Sequence, residues 1–205
     1  MTTTIATRER LIRAAQQELI RSHGHLEMQA VAKRAMVSVG LAYHHFGSKA
    51  GLIAAVVEAF YGRLDGEVFN DACRPSESWA DRERRRIASY IAFHYAHPFA
   101  PLVVGALSRA PEVLDVERAF TRRQLAGGAR MIEAAQRNGF VPDPIDPHLA
   151  IALMIGGIRQ ALIGALTSKQ RPDPEKLTDE IWAFIAGALR LTASAGIKKS
   201  RDKVA

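Results

Sequence analysis

The spacing of apolar residues constrains the fold of this chain most. They recur every three or four positions, and no segment sustains the alternation of apolar and polar residues that a half-buried strand needs. Leu11, Ala15 and Leu19, for example, would line one face of a helix. Asp146-Pro147 and Asp173-Pro174 each supply an N-cap residue followed by proline at the first helical position. The sequence therefore predicts an all-α fold.

Capping and helix-breaking residues also predict where the helices begin and end. A first helix is expected from Thr7, as its N-cap, to a stop at Gly24. A short second helix carries Met28 and Val31, a third begins after Ser38, and a fourth runs from Lys49 to about residue 65. Further helices are expected over about 79–97, 100–108, 112–138, 147–168 and 174–194. The polar stretch Asn70 to Ser78 is expected to be a loop, and the residues from about 197 onward to be disordered.

Positive charge is concentrated at the two ends of the chain. The net charge is +7, and residues 1–50 hold seven Arg or Lys against three acids. Residues 51–190 are balanced, whereas the last fifteen residues hold four basic side chains against one acid. A basic head on a neutral body fits a module that binds phosphates. A solvated basic face without a partner explains the charge equally well, so charge alone decides nothing.

One stretch, Leu149 to Leu166, is apolar enough to raise the question of a membrane span. Arg159 and Gln160 lie in its middle, and a charge at mid-bilayer costs at least ~2.5 kcal/mol. We therefore expect a buried helix and no membrane partner. The only cysteine, Cys73, cannot form an internal disulfide, and no apolar run typical of a signal peptide opens the chain. These features favour a cytoplasmic protein.

The segment from Val31 to Leu52, VAKRAMVSVGLAYHHFGSKAGL, predicts a helix-turn-helix. Two short helices would meet across a tight turn at Met36-Val37, so that the first braces the second in the major groove of DNA. Small residues allow this packing: Ala32 and Ala35 between the helices, and Gly40 and Ala42 on the second helix. Tyr43, His44 and Lys49 would donate to phosphate oxygens beside the groove.

The same residues resemble the DNA-binding motif of the TetR family. The resemblance rests on Ala32-Lys33-Arg34-Ala35, Val37-Ser38, Gly40, Tyr43-His44-His45-Phe46-Gly47-Ser48-Lys49 and Leu52, preceded by Leu11-Ile12-Arg13-Ala14-Ala15. It covers about a quarter of the chain. It implies that Ser38, Val39, Gly40 and Leu41 face the groove, that Tyr43, His44 and Lys49 contact the DNA backbone, and that Phe46 and Leu52 are core.

Four residues, at three places, depart from the family pattern. Met36 stands where the family usually has a turn glycine, which puts the positive φ of that turn in question. Glu27 replaces the Ser or Thr that commonly caps the second helix. Ala50-Gly51 replaces residues that are often acidic, and Gly51 weakens the start of the fourth helix by up to ~1 kcal/mol. A plain helical corner in place of a DNA-binding motif is the alternative interpretation of the segment.

The resemblance also implies a domain organisation. Residues 1–52 would form the DNA-binding domain, the fourth helix, about 49–65, the connector, residues 53–196 an effector-binding and dimerisation domain, and 197–205 a basic tail. The last two helices are broadly apolar and would pair with their copies in a homodimer. The residues expected at that interface are Ile158, Leu162, Ile181, Trp182, Ile185 and Leu189. A well-buried core of a monomer is the alternative.

An aromatic-rich group between the head and the last helices matches the position of the family's ligand cavity. The residues expected to line it are Tyr90, Phe93, His94, Phe99, Leu102, Val103 and Phe120. They could equally be plain core. The sequence thus favours a transcriptional repressor that a small apolar or aromatic effector releases from a palindromic operator in double-stranded DNA. A DNA-binding protein without an effector, constitutive or architectural, is the alternative, and a protein-interaction bundle is a third.

No pattern in the sequence indicates catalysis. A nucleophile with a neighbouring base is absent from it, and Gly127-Gly128 lacks the Lys-Ser/Thr that follows in a phosphate-binding loop. His94 and His97 could share a metal ion, but no third ligand is spaced to match and Pro98 follows at once. We therefore expect no enzymatic activity, no cofactor and no metal, and we interpret Cys73 as an incidental surface thiol.

Overall fold

The computed structural model describes residues 2–69 and 77–191, and the side chains of residues 5–69 and 77–191. Every regular element in these ranges is helical, which confirms the all-α prediction. The α-helices are α1 (Thr2–Arg21), α2 (Met28–Ala35), α3 (Val39–Phe46), α4 (Lys49–Leu64), α5 (Trp79–Ala96), α6 (Ala100–Val104), α7 (Leu114–Arg137), α8 (Pro147–Thr167) and α9 (Pro174–Ala188). Most of the predicted linker with Cys73, and the whole basic tail, lie outside the described residues.

Local capping residues explain several helix ends. Asp146 Oδ1 accepts a 2.7 Å hydrogen bond from the Leu149 amide, and Asp173 Oδ1 accepts from the amides of Glu175 and Lys176 at 3.0 Å. A side-chain oxygen in this position satisfies amides that have no partner inside the helix. The predicted starts of α8 and α9 are therefore confirmed.

The first helix begins earlier than its sequence suggested. α1 starts at Thr2, and Thr7 is a buried residue inside it rather than its N-cap. Nothing in the short segment before Thr7 is a glycine or a proline, so the helix continues through it. Its other end agrees with expectation, because Gly24 has a φ of +97° and its amide donates to the Leu19 carbonyl at 2.8 Å.

The sixth and ninth helices are shorter than predicted. The segment expected over 100–108 divides into α6 and a 3₁₀ turn at Leu107–Arg109, separated by Gly105. α9 ends at Ala188, and Arg190 beyond it adopts a positive φ of 53°. A turn of π-helix, Asp65–Phe69, extends α4.

The chain groups into two compact units. One contains Met1–Glu67 and Phe93–Arg122. Its core includes Leu11, Leu19, Val31, Leu52, Leu64, Phe99 and Val103, all fully buried. The head and the connector α4 therefore share a core with residues 93–122.

The other unit contains, among the described residues, 68–69, 77–92 and 123–191. Ile91, Ile132 and Leu162 are its fully buried side chains. A Cβ added at Gly128 of α7 would lie 2.2 Å from Cγ1 of Ile151 on α8, so the glycine allows close packing of the two helices. Arg84 of α5 forms an ion pair with Asp179 of α9.

The apolar helix α8 is not buried in the way its sequence suggested. Of the helices in the described residues, it is the one long and apolar enough to cross a membrane by length and composition. Only 22% of its most apolar 18-residue window is buried, so the expectation of a buried helix is wrong for the single chain. The reason is one-sided packing: Ile151, Leu162 and Leu166 face inward, whereas Leu153 on another side is 67% exposed.

Candidate nucleic-acid interface

The turn between α2 and α3 has the geometry that a helix-turn-helix needs. Met36 adopts φ 55° and ψ 49°, in the left-handed region, and is 81% exposed. The Val37 amide donates to the Ala32 carbonyl at 3.0 Å and closes the end of α2. The turn thus keeps a positive φ although its residue carries a Cβ, a conformation that costs about 1–2 kcal/mol outside glycine.

Two serines cap the helices on either side of Gly47. Ser38 Oγ accepts from the Leu41 amide at 3.2 Å at the start of α3, and Ser48 Oγ accepts from the Gly51 amide at 2.9 Å at the start of α4. Gly47 lies between α3 and α4 with a φ of +71°, where a side chain would be strained. Glu27, in contrast, precedes α2 without a side-chain capping bond.

Gly51 has a steric role that its helix propensity does not reveal. A Cβ added there would lie 2.2 Å from the carbonyl oxygen of Phe46, a backbone atom of α3. α4 can therefore start this close to the end of α3 only with glycine at this position. Because glycine has a low helix propensity, this close approach goes with a less stable start of α4.

The outer side of α3 carries most of the residues that the family resemblance assigns to DNA. Ser38, Gly40, Leu41, Tyr43, His44 and Lys49 are exposed, and Val39 is half-buried. Ala42, on the opposite side, is fully buried against the rest of the head. This side of α3 is open to a partner.

Of the two residues expected in the core beside this face, Leu52 is fully buried and Phe46 is only half-buried. The guanidinium carbon of Arg8, on α1, lies 5.4 Å from the centre of the Phe46 ring. A cation at this distance from a ring face is attracted to it. Phe46 therefore packs at the rim of the head and not in its centre.

A buried carboxylate connects α1 to α2. Glu18 accepts hydrogen bonds from Arg21 Nη2 at 2.7 Å and from the Ser22 hydroxyl at 3.0 Å. Arg34 Nη2 of α2 lies 3.6 Å from its other oxygen. The hydrogen bond from Arg21 is the main reason that the pKa of Glu18 is lowered; burial opposes it, and the bond from Ser22 and the charges of Arg21 and Arg34 act with it. Glu18 did not stand out in the sequence, because nothing local marks its partner on α2.

The connector α4 packs against residues 93–122 through aromatic rings. The Phe60 ring lies 5.3 Å from that of Phe93 and 5.9 Å from that of Phe99, both edge-on. Tyr61 stacks on Phe120 at 4.0 Å and its hydroxyl donates to the buried carboxylate of Glu117. The sequence suggested Phe93, Phe99 and Phe120, but not their partners on α4.

The residues predicted to line a ligand cavity are divided between the two units. Phe93, His94, Phe99, Val103 and Phe120 are buried in the unit that contains the head, and Leu102 there is half-buried. Tyr90 belongs to the other unit, where its ring lies 6.3 Å from that of Phe69. That unit also has a cleft of about 260 Å³, lined by other residues that include Gln136, Phe140 and Arg190.

His97 is held by two partners. Its Nδ1 lies 2.6 Å from the Phe93 carbonyl and its Nε2 lies 2.8 Å from Arg63 Nη2. Because a guanidinium only donates, Nε2 accepts and Nδ1 carries the proton. Within residues 2–69 and 77–191, no three His, Cys, Asp or Glu side chains are grouped as metal ligands would be.

The residues expected at a dimer interface divide into two groups. Leu162, Ile185 and Leu189 are buried within their own unit, whereas Ile158, Ile181 and Trp182 are half-buried. The exposed large side chains on α8 and α9 are instead Leu149, Leu153 and Phe184, the last 77% exposed. Cβ atoms added at Gly156, Gly157 and Gly164 would meet nothing within 4 Å. The spacing of Leu149, Leu153 and Gly156 on one helical face was a signal that sequence analysis could have used.

Comparison with known proteins finds a family that matches the head and solved structures with a similar fold. Residues 11–56 match the family described as bacterial regulatory proteins, tetR family. The fold is similar to that of SmeT, the repressor of the Stenotrophomonas maltophilia multidrug efflux pump SmeDEF, with a TM-score of 0.76, 19% identity and 98% of each chain covered. At such identities the likeness shows the fold.

Two further structures have the same fold. FadR from Bacillus subtilis, solved in complex with stearoyl-CoA, has a TM-score of 0.71 at 16% identity, with 86% of this chain and 96% of that chain covered. A TetR-like transcriptional regulator from Rhodococcus sp. RHA1 has a TM-score of 0.67 at 18% identity, with 90% and 96% covered. No curated protein matches the sequence.

Proposed function

We propose that this chain, a DNA-binding regulator with a TetR-family head at residues 11–56 and the fold of TetR-family proteins, is a repressor that binds a palindromic operator as a homodimer. A small apolar or aromatic effector releases it. The observation that carries the proposal is the braced, exposed α3: Ala42 anchors the helix, Ser38 caps it, and Gly40 leaves its outer side bare. In a helix-turn-helix the second helix lies in the major groove, and an anchored helix with an exposed outer side suits that position.

The uncovered face of α8 and α9 supports the homodimer. Leu149, Leu153 and Phe184 are large apolar side chains that no described residue of the chain covers. Exposed apolar patches on soluble proteins commonly mark interfaces. A dimer would also carry two heads, and two heads can read the two half-sites of a palindrome about one helical turn, ~34 Å, apart.

The aromatic contacts of α4 support effector control. Because Phe60 and Tyr61 of the connector pack on Phe93 and Phe120, a ligand that repacks those rings would change the position of α4. The ligand lowers DNA affinity by the difference between its binding free energies for the DNA-bound and the released conformations of the protein, typically ~1–3 kcal/mol. The stearoyl-CoA bound to Bacillus subtilis FadR makes long-chain acyl compounds the first candidates to test.

The alternative is a DNA-binding protein without an effector, constitutive or architectural. A ligand that binds only the folded state raises its melting temperature by mass action. Thermal unfolding with and without acyl-CoA and aromatic compounds therefore separates the two proposals. A melting temperature that no compound raises, together with tight operator binding, favours the constitutive protein.

The direct test is selection of duplexes from a random pool by the full-length protein, followed by footprinting and titration over a range of salt concentrations. We expect enrichment and protection of a palindrome. Gly40→Leu should lower the affinity of the protein for this palindrome to that of binding which is indifferent to sequence, a loss of about 10³-fold. Gly127→Leu is the matched control, because a Cβ at either glycine meets nothing within 4 Å, whereas Gly127 lies on α7, outside the head and the connector.

Wild-type affinity in Gly40→Leu would remove α3 from the groove. Weak binding that is indifferent to sequence would favour an architectural protein. Absence of binding even at low salt would overturn the proposed regulator.

A further inference from the structure

The first turn of α3 exposes almost nothing that can form a hydrogen bond with a base. Val39 is half-buried, Gly40 has no side chain, and Leu41 is 36% exposed. Ser38 carries the one polar side chain here; its oxygen accepts the capping bond from the Leu41 amide, so its hydroxyl proton is the main hydrogen-bonding group that remains. In a helix-turn-helix, the N-terminal residues of the second helix contact base edges. This recognition helix therefore offers apolar groups where others offer donors and acceptors.

The bases differ in whether the edge that they expose in the major groove can pack against an apolar side chain. Guanine, adenine and cytosine present only donors and acceptors, and burial of these against an aliphatic group leaves them without partners. Thymine adds a C5-methyl group, which is the one apolar feature of the groove. We propose that Leu41 reads thymine methyl groups, so that A·T pairs occupy each half-site under the first turn of α3. This inference rests on the proposed function.

Gly40 makes the approach possible. A Cβ added there meets no atom of the protein within 4 Å, so the glycine is not required by the fold of the head. Its bare backbone lets the first turn of α3 come close to the bases, where Leu41 can contact a methyl group. A larger residue would hold Leu41 away from the groove floor.

The other exposed side chains near α3 do not take this role. Tyr43 and His44 lie two and three residues further along the helix and carry polar atoms suited to phosphates. Met36 is apolar and more exposed than Leu41, but it lies in the turn before the Ser38 cap. Leu41 is therefore the apolar side chain on the outer side of α3 that is placed to contact a base.

The test replaces thymine by deoxyuridine, which removes the methyl group and keeps the base pair and its O4 acceptor. Duplexes selected from a random pool by the wild-type protein are the probe, and each thymine of a half-site is replaced in turn. We expect one or two positions to lose about fourfold in affinity, the factor that burial of one methyl-sized group supplies. Leu41→Ala should bind the thymine and uracil duplexes alike at those positions.

Two further variants show that the preference belongs to Leu41. Leu41→Met keeps an apolar group and should keep a thymine preference, and it serves if the alanine variant does not fold. Lys49→Ala should weaken binding to both duplexes by one factor, because a phosphate contact carries no sequence information. Tight binding of the selected palindrome with uracil tolerated at every thymine overturns the inference and leaves the proposed function intact. Failure to enrich any sequence overturns the proposed function and this inference with it.

Discussion

The carboxylate of Glu18, on α1, lies 3.6 Å from the guanidinium of Arg34, on α2. Glu18 is almost fully buried, and its hydrogen bond from Arg21 at 2.7 Å keeps it charged in the folded head. A lowered pKa in the folded state means that the unfolded chain binds the proton more readily. The stabilising contribution of Glu18 is therefore present above its unfolded-state pKa and is lost as the pH falls through the folded value.

We expect the free energy of unfolding to fall as the pH drops below about 4.5, the ordinary pKa of a glutamate side chain. Glu18→Gln should be less stable at neutral pH and should show a flatter decline in acid. Urea unfolding followed by circular dichroism across this pH range measures both effects. Glu9→Gln is the control, because Glu9 is exposed on the same helix. Equal pH profiles for wild type and Glu18→Gln would contradict the prediction.

Met36→Gly should stabilise the head. Met36 has a φ of 55°, which glycine adopts without steric cost. The relief of about 1–2 kcal/mol is partly offset by the greater freedom of glycine in the unfolded chain, so a net gain of about 0.5–1 kcal/mol is expected. Met36→Ala keeps a Cβ at the same φ and should show no such gain. The denaturant concentration at the unfolding midpoint, measured for the wild type and both variants, tests this prediction. A midpoint for Met36→Gly below that of the wild type would contradict it.

Lys49→Ala should weaken binding to every DNA sequence alike. Lys49 is exposed at the start of α4, beside the outer side of α3. Loss of one phosphate contact lowers the slope of log affinity against log salt by about 1. Lys169→Ala removes an exposed lysine far along the chain and should leave the slope unchanged. A slope unchanged in Lys49→Ala would remove this residue from the phosphate contacts.

Leu153→Glu and Phe184→Glu should each produce a monomer. Both side chains lie on the uncovered faces of α8 and α9, where a charge costs little in the single chain but is not tolerated in an apolar interface. Sedimentation velocity measures the oligomeric state. Leu41→Glu, on α3, is a matched control that should remain dimeric. Dimers of normal mass from both α8 and α9 variants would place the interface elsewhere.

Tyr61→Phe should destabilise the unit that contains the head. The Tyr61 hydroxyl donates to the buried carboxylate of Glu117, and its loss leaves that carboxylate with one donor fewer. The expected cost is about 1–3 kcal/mol. Tyr43→Phe is the control, because Tyr43 is exposed on α3. Chemical denaturation of both variants gives the comparison, and equal stability would show that the buried bond contributes nothing net.

Predictions that depended on local chemistry agree with the structure. Asp146 and Asp173 cap α8 and α9, and Ser38 caps α3, because a capping side chain needs only the amides two or three residues further on. The helix-turn-helix was recognisable for the same reason, since its residues follow one another within a short segment. The start of α1 was wrong because Thr7, a good N-cap by type, has no helix-breaking residue before it.

The sequence by itself determined most of the helices, the caps of α3, α8 and α9, and the helix-turn-helix motif, because each depends on neighbours along the chain. Only the tertiary structure decided which apolar side of α8 and α9 is covered: Leu162 and Ile185 face inward, whereas Leu153 and Phe184 do not. A helix that is apolar on several sides carries no periodic signal for the side that packs. The pairing of Glu18 with Arg34, and of Tyr61 with Glu117, was likewise set by packing between helices, which brings together residues that nothing in their local sequence links.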